Sequence, residues 1–230
     1  MIWVTGDTHG EQNRLLFLER DCPLGAGDIL LVCGDFGYLW TGDEAENAFL
    51  DRVAERDYTL CFIDGNHENF DLLNSYPRED WNGGRVHRIR RNIFHLMRGQ
   101  VFTMEGKTFF TMGGAFSPDR MTGGRCLPGV DYWEEEIPSE AEIQTARENL
   151  ALYGNRVDYV LTHTAPKSVV WQIAMRDGFL MGDQDRLLTD FLDDLKYDLD
   201  YRHWYFGHFH DDRHISETFT LLFMETERIS

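Results

Sequence analysis

Short apolar runs that break off at polar clusters constrain this chain more than any other feature. Residues 2–6 run apolar into Gly6-Asp7-Thr8-His9, and residues 29–33 (Ile-Leu-Leu-Val-Cys) run into Gly34-Asp35. Residues 58–63 lead to Gly65-Asn66-His67-Glu68, residues 157–162 to His163-Thr164, and residues 204–206 to Gly207-His208-Phe209-His210. An unbroken apolar run of this length suits a strand covered on both faces. Between the first three runs lie helical patterns. Residues 11–20 place Leu15, Leu16 and Leu18 on or near one face, and residues 45–56 space Ala45, Phe49 and Val53 four apart. This βαβαβ order predicts an α/β fold with parallel strands and right-handed crossovers.

The middle of the chain reads differently. Residues 85–115 alternate and carry a turn signal at Glu105-Gly106-Lys107, so they are expected to form a hairpin. Residues 113–138, rich in Gly, Pro and aromatics, read as a long loop. Ser139-Glu140-Ala141-Glu142 has capping-box spacing and should start a helix reaching about Tyr153. Residues 185–199 form an amphipathic helical pattern, and residues 204–206 and 219–224 read as late strands. With no internal repeat, low-complexity tract or clear linker, a single domain over residues 1–230 is the expectation.

Composition narrows the class. The 230 residues hold 42% hydrophobic and 27% charged side chains, an ordinary globular balance, with a formal net charge of −18. So acidic a surface repels phosphate backbones and anionic lipid, which argues against a general nucleic-acid binder or a membrane partner. The longest apolar run is far too short for a bilayer span. The opening residues read as a first strand and not a signal peptide. Cys22, Cys33, Cys61 and Cys126 lack CxxC spacing and read as reduced and structural, which fits a cytoplasmic location.

Ligands in open α/β sheets collect beyond the carboxyl ends of the strands, so the five clusters are expected to converge. Carboxylate, amide oxygen and imidazole suit first-row divalent cations, and the lack of cysteine argues against a structural zinc knot. Asp-x-His and His-x-His steps place two ligands on one side, since alternate strand residues face the same way. Gly-Asp also occurs at Asp28, Asp43 and Asp183, which read as turns, and His87, His95, His203 and His214 read as structural histidines.

Taken in order, Asp-x-His, Gly-Asp, Gly-Asn-His-Glu, a lone His and Gly-His-x-His resemble the signature of the calcineurin-like metallophosphoesterases, from Asp7 to His210. The resemblance implies a four-layer sandwich, two mixed β-sheets packed face to face and flanked by helices. It also implies residue roles: Asp7, His9 and His210 hold one metal, Asn66, His163 and His208 hold a second, and Asp35 bridges them. His67 would not be a ligand and would face the substrate as the catalytic acid. Two divalent cations follow, Mn²⁺ foremost, with Fe, Zn, Ni or Co as alternatives. The chain departs from the Ser/Thr protein phosphatase branch, because Gly34-Asp35-Phe36-Gly37-Tyr38-Leu39-Trp40 lacks that branch's added Asp-Arg-Gly. The carboxylate that would orient His67 is thus missing, and the spacing of Asp64 gives no support for it as a substitute.

The expected activity is hydrolysis of small-molecule or nucleotide phosphate esters by a metal-bridging hydroxide. The alternatives are a nuclease of the same family and a non-catalytic metal-binding scaffold. A nuclease needs a basic track, and only Arg85, Arg88, Arg90, Arg91 and Arg98 offer one. The loop over residues 113–138, with Arg98 beneath or beside it, is expected to set substrate access. Its Phe116, Tyr132 and Trp133 would stack on a ring and its Arg120 and Arg125 would meet phosphate, unless the aromatics only pin the loop to the core.

Overall fold

A computed structural model describes residues 1–179 and 184–229. Its first sheet is built from β1 (Ile2–Thr5), β2 (Ile29–Val32), β3 (Thr59–Phe62), β4 (Arg78–Trp81), β5 (Gly84–Arg90), β6 (Ile93–Leu96) and β13 (Thr226–Ile229). Their order across the sheet is β13-β1-β2-β3-β6-β5-β4. Strands β1, β2, β3 and β6 are mutually parallel, while β13 joins β1, β5 joins β6 and β4 joins β5 in antiparallel pairs.

The second sheet contains β7 (Gln100–Met104), β8 (Lys107–Met112), β9 (Tyr159–Thr162), β10 (His203–Phe206), β11 (Arg213–His214) and β12 (Phe219–Leu221), in the order β11-β12-β10-β9-β8-β7. Helices α1 (Gln12–Asp21), α2 (Glu44–Ala54) and α3 (Phe70–Ser75) connect strands of the first sheet. Helices α4 (Glu140–Leu152), α5 (Lys167–Asp177) and α6 (Arg186–Asp198) belong with the second.

The strand alternation sorts side chains into three cores. Leu30, Val32, Leu60 and Phe62 join Leu15, Leu18, Phe49 and Val53 of α1 and α2. From the opposite faces, Val4, Leu31 and Cys61 meet Phe109, Leu161 and Tyr205 of the second sheet. Phe110, Val160, Trp204 and Phe206 complete a third cluster with Ile143, Ile173, Phe191 and Leu192 of α4, α5 and α6. The result is the expected four-layer α/β sandwich, with two mixed sheets between two helical layers. Strands inside such a stack have no water-facing side, which is why they read as continuous apolar runs.

Register sets up the site. Thr5 pairs with Val32 and Val32 with Phe62, so β1, β2 and β3 end level. Met112, Thr162 and Phe206 end level in the other sheet.

Three expectations need correction. Residues 85–115 form two hairpins and not one. The pair β5–β6 belongs to the first sheet, whereas β7–β8 turns at Glu105-Gly106 as expected but in the second. The break falls at Gly99, whose φ of 69° and contact with Ala146 of α4 redirect the chain between sheets. The strand expected over residues 219–224 stops at Leu221, and the chain then crosses to the first sheet as β13. Within the loop over residues 113–138, Trp133 is buried at 5% exposure, and its indole N–H donates to Asp71 Oδ2 at 2.9 Å. Trp133 therefore pins the loop and offers no stacking face to a substrate.

Arg98 also proves structural. It is buried against Asp64, with Nη2 2.6 Å from Oδ2, and it donates to the loop carbonyl of Glu135 at 2.7 Å. Burial opposes ionisation of Asp64, but Arg98 and then His95 hold its carboxyl well below the usual range. A depressed folded-state pKa means that the stabilisation is complete above the unfolded value near 3.9 and fades as pH falls below it. Arg98→Ala leaves a buried carboxylate without its cation and is expected to lower urea stability at pH 7 by about 3–5 kcal/mol. The deficit should shrink below about pH 4, where Asp64 in the variant can protonate. A loss under about 1 kcal/mol at pH 7, within the range of exposed ion pairs, would contradict this role.

Candidate metal centre

The turns after β1 and β2 are laced together by backbone. The N–H groups of Thr8 and His9 both donate to the Asp35 carbonyl, at 3.1 and 2.8 Å, and that of Gly10 donates to Phe36 at 3.0 Å. A Cβ at Gly10 would collide with the Gly37 carbonyl, so two glycines let these turns touch. The second sheet abuts the same place. His163, following β9, is buried, and its Nδ1 lies 2.8 Å from the Cys33 carbonyl oxygen. A carbonyl can only accept, so Nδ1 carries a proton, and Nε2 is the nitrogen that can offer a lone pair to a cation once its own proton is released. That Nε2 lies 3.1 Å from Asn66 Oδ1 and 3.2 Å from Asp35 Oδ1.

On the other side of Asp35, Oδ2 lies 3.8 Å from His9 Nε2, which is itself 2.9 Å from His210 Nε2. Ligand atoms of Asp7, His9, Asp35 and His210 all fall within 4.8 Å of one another. His208 packs edge-on to His163, with centroids 5.0 Å apart, and its N–H donates to Asp7 Oδ1 at 3.1 Å. The structure thus gathers Asp7, His9, Asp35, Asn66, His163, His208 and His210 around one carboxylate. His67 borders them: its N–H donates to Asp35 Oδ1 at 2.8 Å, and its ring meets His9 edge-on at 5.4 Å.

Backbone strain concentrates here. Non-glycine residues with positive φ include His9 (48°), Asp35 (47°), His208 (71°) and His210 (49°). Such conformations cost about 1–3 kcal/mol each and persist where surrounding structure enforces them.

Charge is equally constrained. Burial pushes Asp7 up to about 7, with Asp35 adding to the rise. Burial resists ionisation of Asp35 too, but His163, His67 and His9 hold it well below the usual range. His163 is driven down by burial yet raised to about 10 by Asp35 and Asp7. Burial takes His9 down to about 4 and His208 down to about 3. The cluster therefore concentrates carboxylate charge that one imidazolium offsets, alongside histidines held neutral. Neutral imidazoles and ionised carboxylates are the forms that bind cations, so His9, His208 and Asp35 already stand in ligating form, and a divalent metal would displace the protons of His163 and Asp7.

Glu68 closes the Gly-Asn-His-Glu motif. It is buried, and accepts the Phe36 and Gly37 N–H groups at 2.7 and 3.4 Å. Burial first and then Asp35 push its carboxyl well above the usual range. It ties the third turn to the second.

The remaining sequence candidates serve structure. Asp43 caps α2 by accepting the Glu46 N–H at 2.9 Å, and Asp28 accepts that of Gly25 at 2.8 Å. Asp183 lies outside the described residues. His87 and His95 face each other at 2.9 Å in the core, and His95 reaches Asp64 at 3.0 Å. Asp64 is thus engaged away from His67. His203 and His214 share the Thr220 hydroxyl, at 2.8 and 3.0 Å. Arg120 is held between Phe116 and Tyr132 and bonds Glu136 Oε2 at 3.0 Å.

A model of the calcineurin-like phosphoesterase family matches residues 1–212 of the 230. No curated protein matches the chain.

Gly65 offers a direct check on the cluster. A Cβ at this position would overlap Asp35 Oδ1 and crowd the Asp35 N–H. Gly65→Ala is expected to displace Asp35 and weaken Mn²⁺ uptake by about 10–100-fold, the range seen when support around a metal ligand is removed. Equilibrium dialysis against Mn²⁺ reads this, and unchanged uptake would show that Asp35 is not confined as described.

Proposed function

The chain belongs to the calcineurin-like phosphoesterase family, metal-dependent hydrolases that bind two divalent cations, and on that premise we propose that it hydrolyses small phosphate esters, nucleotides among them. The observation that carries the two-cation reading is the orientation of Asp35, with Oδ1 3.2 Å from His163 Nε2, which itself meets Asn66, and Oδ2 3.8 Å from His9 Nε2, which itself meets His210. Asp7, His9 and His210 would hold one cation, Asn66, His163 and His208 the other, and Asp35 both, with Mn²⁺ as the metal we favour. When bound, the two cations acidify a water and neutralise charge on the phosphoryl oxygens.

The protein's own groups supply the rest. His163 is fixed in the tautomer that aims Nε2 at the site by its bond to Cys33. His67 is held at the rim by its backbone bond to Asp35 and by the His9 ring, and it is half-buried. It donates a proton to the departing alkoxide oxygen. Among the described residues no carboxylate hydrogen-bonds its ring, in keeping with the departure from the Ser/Thr phosphatase pattern.

A nuclease reading is less well supported. Three of the five arginines of its basic track are paired with carboxylates: Arg88 with Glu79 at 2.7 Å, Arg90 with Asp51 at 2.6 Å, and the buried Arg98 with Asp64 at 2.6 Å. This reduces the positive charge open to a long polyanion, whereas a small ester needs only the metal centre and its rim. Purified protein with Mn²⁺ should turn over bis-p-nitrophenyl phosphate, p-nitrophenyl phosphate or nucleotides in preference to single-stranded DNA. Efficient cleavage of DNA with none of the small esters would reverse the choice.

Asp35→Ala is expected to abolish activity and to lower metal content at both sites, because one carboxylate serves both. Elemental analysis showing two full equivalents with wild-type turnover would rule the bridging role out. His67→Asn should retain both metals and lose about 10²–10⁴-fold in kcat on alkyl esters. The loss should be smaller on nitrophenyl esters, whose leaving oxygen needs no proton; an equal loss on both would assign His67 a different role.

A further inference from the structure

His210 is the most precariously held member of the cluster. It is exposed, sits at φ 49°, and has one polar side-chain contact among the described residues, Nε2 to His9 Nε2 at 2.9 Å. A ligand histidine is ordinarily fixed by a hydrogen bond at its other ring nitrogen, as His163 is by Cys33. At His210 a ring takes that place: Phe223 stacks on the imidazole, with centroids 4.8 Å apart and planes 19° from parallel.

Phe223 belongs to a strap, residues 222–225, that follows β12 and precedes β13. The strap is clamped at every residue. Leu222 N–H donates to the Phe206 carbonyl at 2.9 Å. Asp212, two residues beyond His210, accepts the N–H groups of Phe223, Met224 and Glu225 at 2.7, 2.9 and 2.9 Å. The buried Arg14 donates to the Phe223 carbonyl at 2.6 Å and to Thr5 Oγ1 at 2.9 Å, and Thr5 Oγ1 donates to the Glu225 carbonyl at 2.8 Å. The strap also lies flat on Gly6, where a Cβ would overlap the Leu222 carbonyl. It therefore touches both turns that supply the first cation site, beside Asp7 and on His210. These residues fall beyond the 1–212 stretch that the family model matches.

We propose that this strap is a built-in wall of the first cation site, and that Phe223 is the positioning residue that holds the His210 imidazole in its ligating orientation. The inference rests on the two-cation reading above. It separates the two sites, because the strap bears on Asp7's turn and stacks on His210, whereas no hydrogen bond or ring contact joins it to Asn66, His163 or His208 among the described residues.

Mn²⁺ binding by calorimetry, with the visible spectrum of the Co²⁺-loaded protein as a second readout, tests it. Phe223→Leu keeps apolar bulk without a flat face, and Phe223→Tyr keeps the face. Phe223→Leu should weaken one of two equivalents by about 10–100-fold and leave the other unchanged, with an altered Co²⁺ spectrum. Phe223→Tyr should match wild type in both readouts. Leu binding both equivalents as wild type does, weakening both equally, or Tyr failing as badly as Leu would each overturn the proposal. Fewer than two equivalents in the wild type would overturn the two-cation reading itself, and is seen before any substitution is made.

Discussion

The Cys33 carbonyl accepts the Nδ1 proton of His163 across the boundary between the two sheets, and most of the candidate site follows from that contact. It brings the end of β9 against the end of β2, so the ligand from the second sheet reaches the carboxylate from the first. Gly34 makes the approach feasible, because a side chain there would occupy the His163 ring. Gly207 does the same one strand further on, where a Cβ would crowd Cys33 and Asp7. The glycines at these positions are thus a steric requirement of two sheet edges meeting, as well as a means of turning the chain.

Assembling so many charged and strained groups at one point works against folding, and the surroundings show how it is sustained. Directly beneath lie apolar strands in three packed cores, the largest favourable contribution a chain of this size has. Around the cluster, backbone N–H groups satisfy Asp7, Asp35 and Glu68, so the buried carboxylates are not left without donors. Rigidity of this kind suits a site that must present fixed oxygens and nitrogens to cations, since little rearrangement is then needed on binding.

Much of this was legible in the sequence, for a physical reason. Strands buried on both faces write continuous apolar runs, and the chemistry sits immediately after them, so both could be read together. What was missed lies at sheet edges and in connections. Strand β4 (Arg-Glu-Asp-Trp) and strand β13 (Thr-Glu-Arg-Ile) are solvated on one side and show no apolar run. Asn82-Gly83, both at positive φ between β4 and β5, was a hairpin signal that went unread. The short helix α3 and the helix α5 were also not read. No local pattern could have shown that residues 85–115 divide between two sheets, because that depends on which partner each strand finds. Trp133 and Arg120 carry no mark distinguishing a substrate contact from a loop anchor; only their neighbours decide it.

The antiparallel pairing of β13 with β1 has a consequence for synthesis. Ile2 pairs with Ile229 and Thr5 with Thr226, so one side of β1 is completed by a strand made long after it. While the chain emerges from the ribosome, β1 can find β2 within a few dozen residues, but its other flank stays unpaired for some 200 residues more, as the 220-residue span of the Thr5–Glu225 bond illustrates. At elongation rates of about 5–20 residues per second, that leaves an open apolar strand edge for roughly ten seconds or longer. The nascent chain therefore passes through a long interval in which its first sheet can recruit foreign strands, and β13 acts as the seal that closes it.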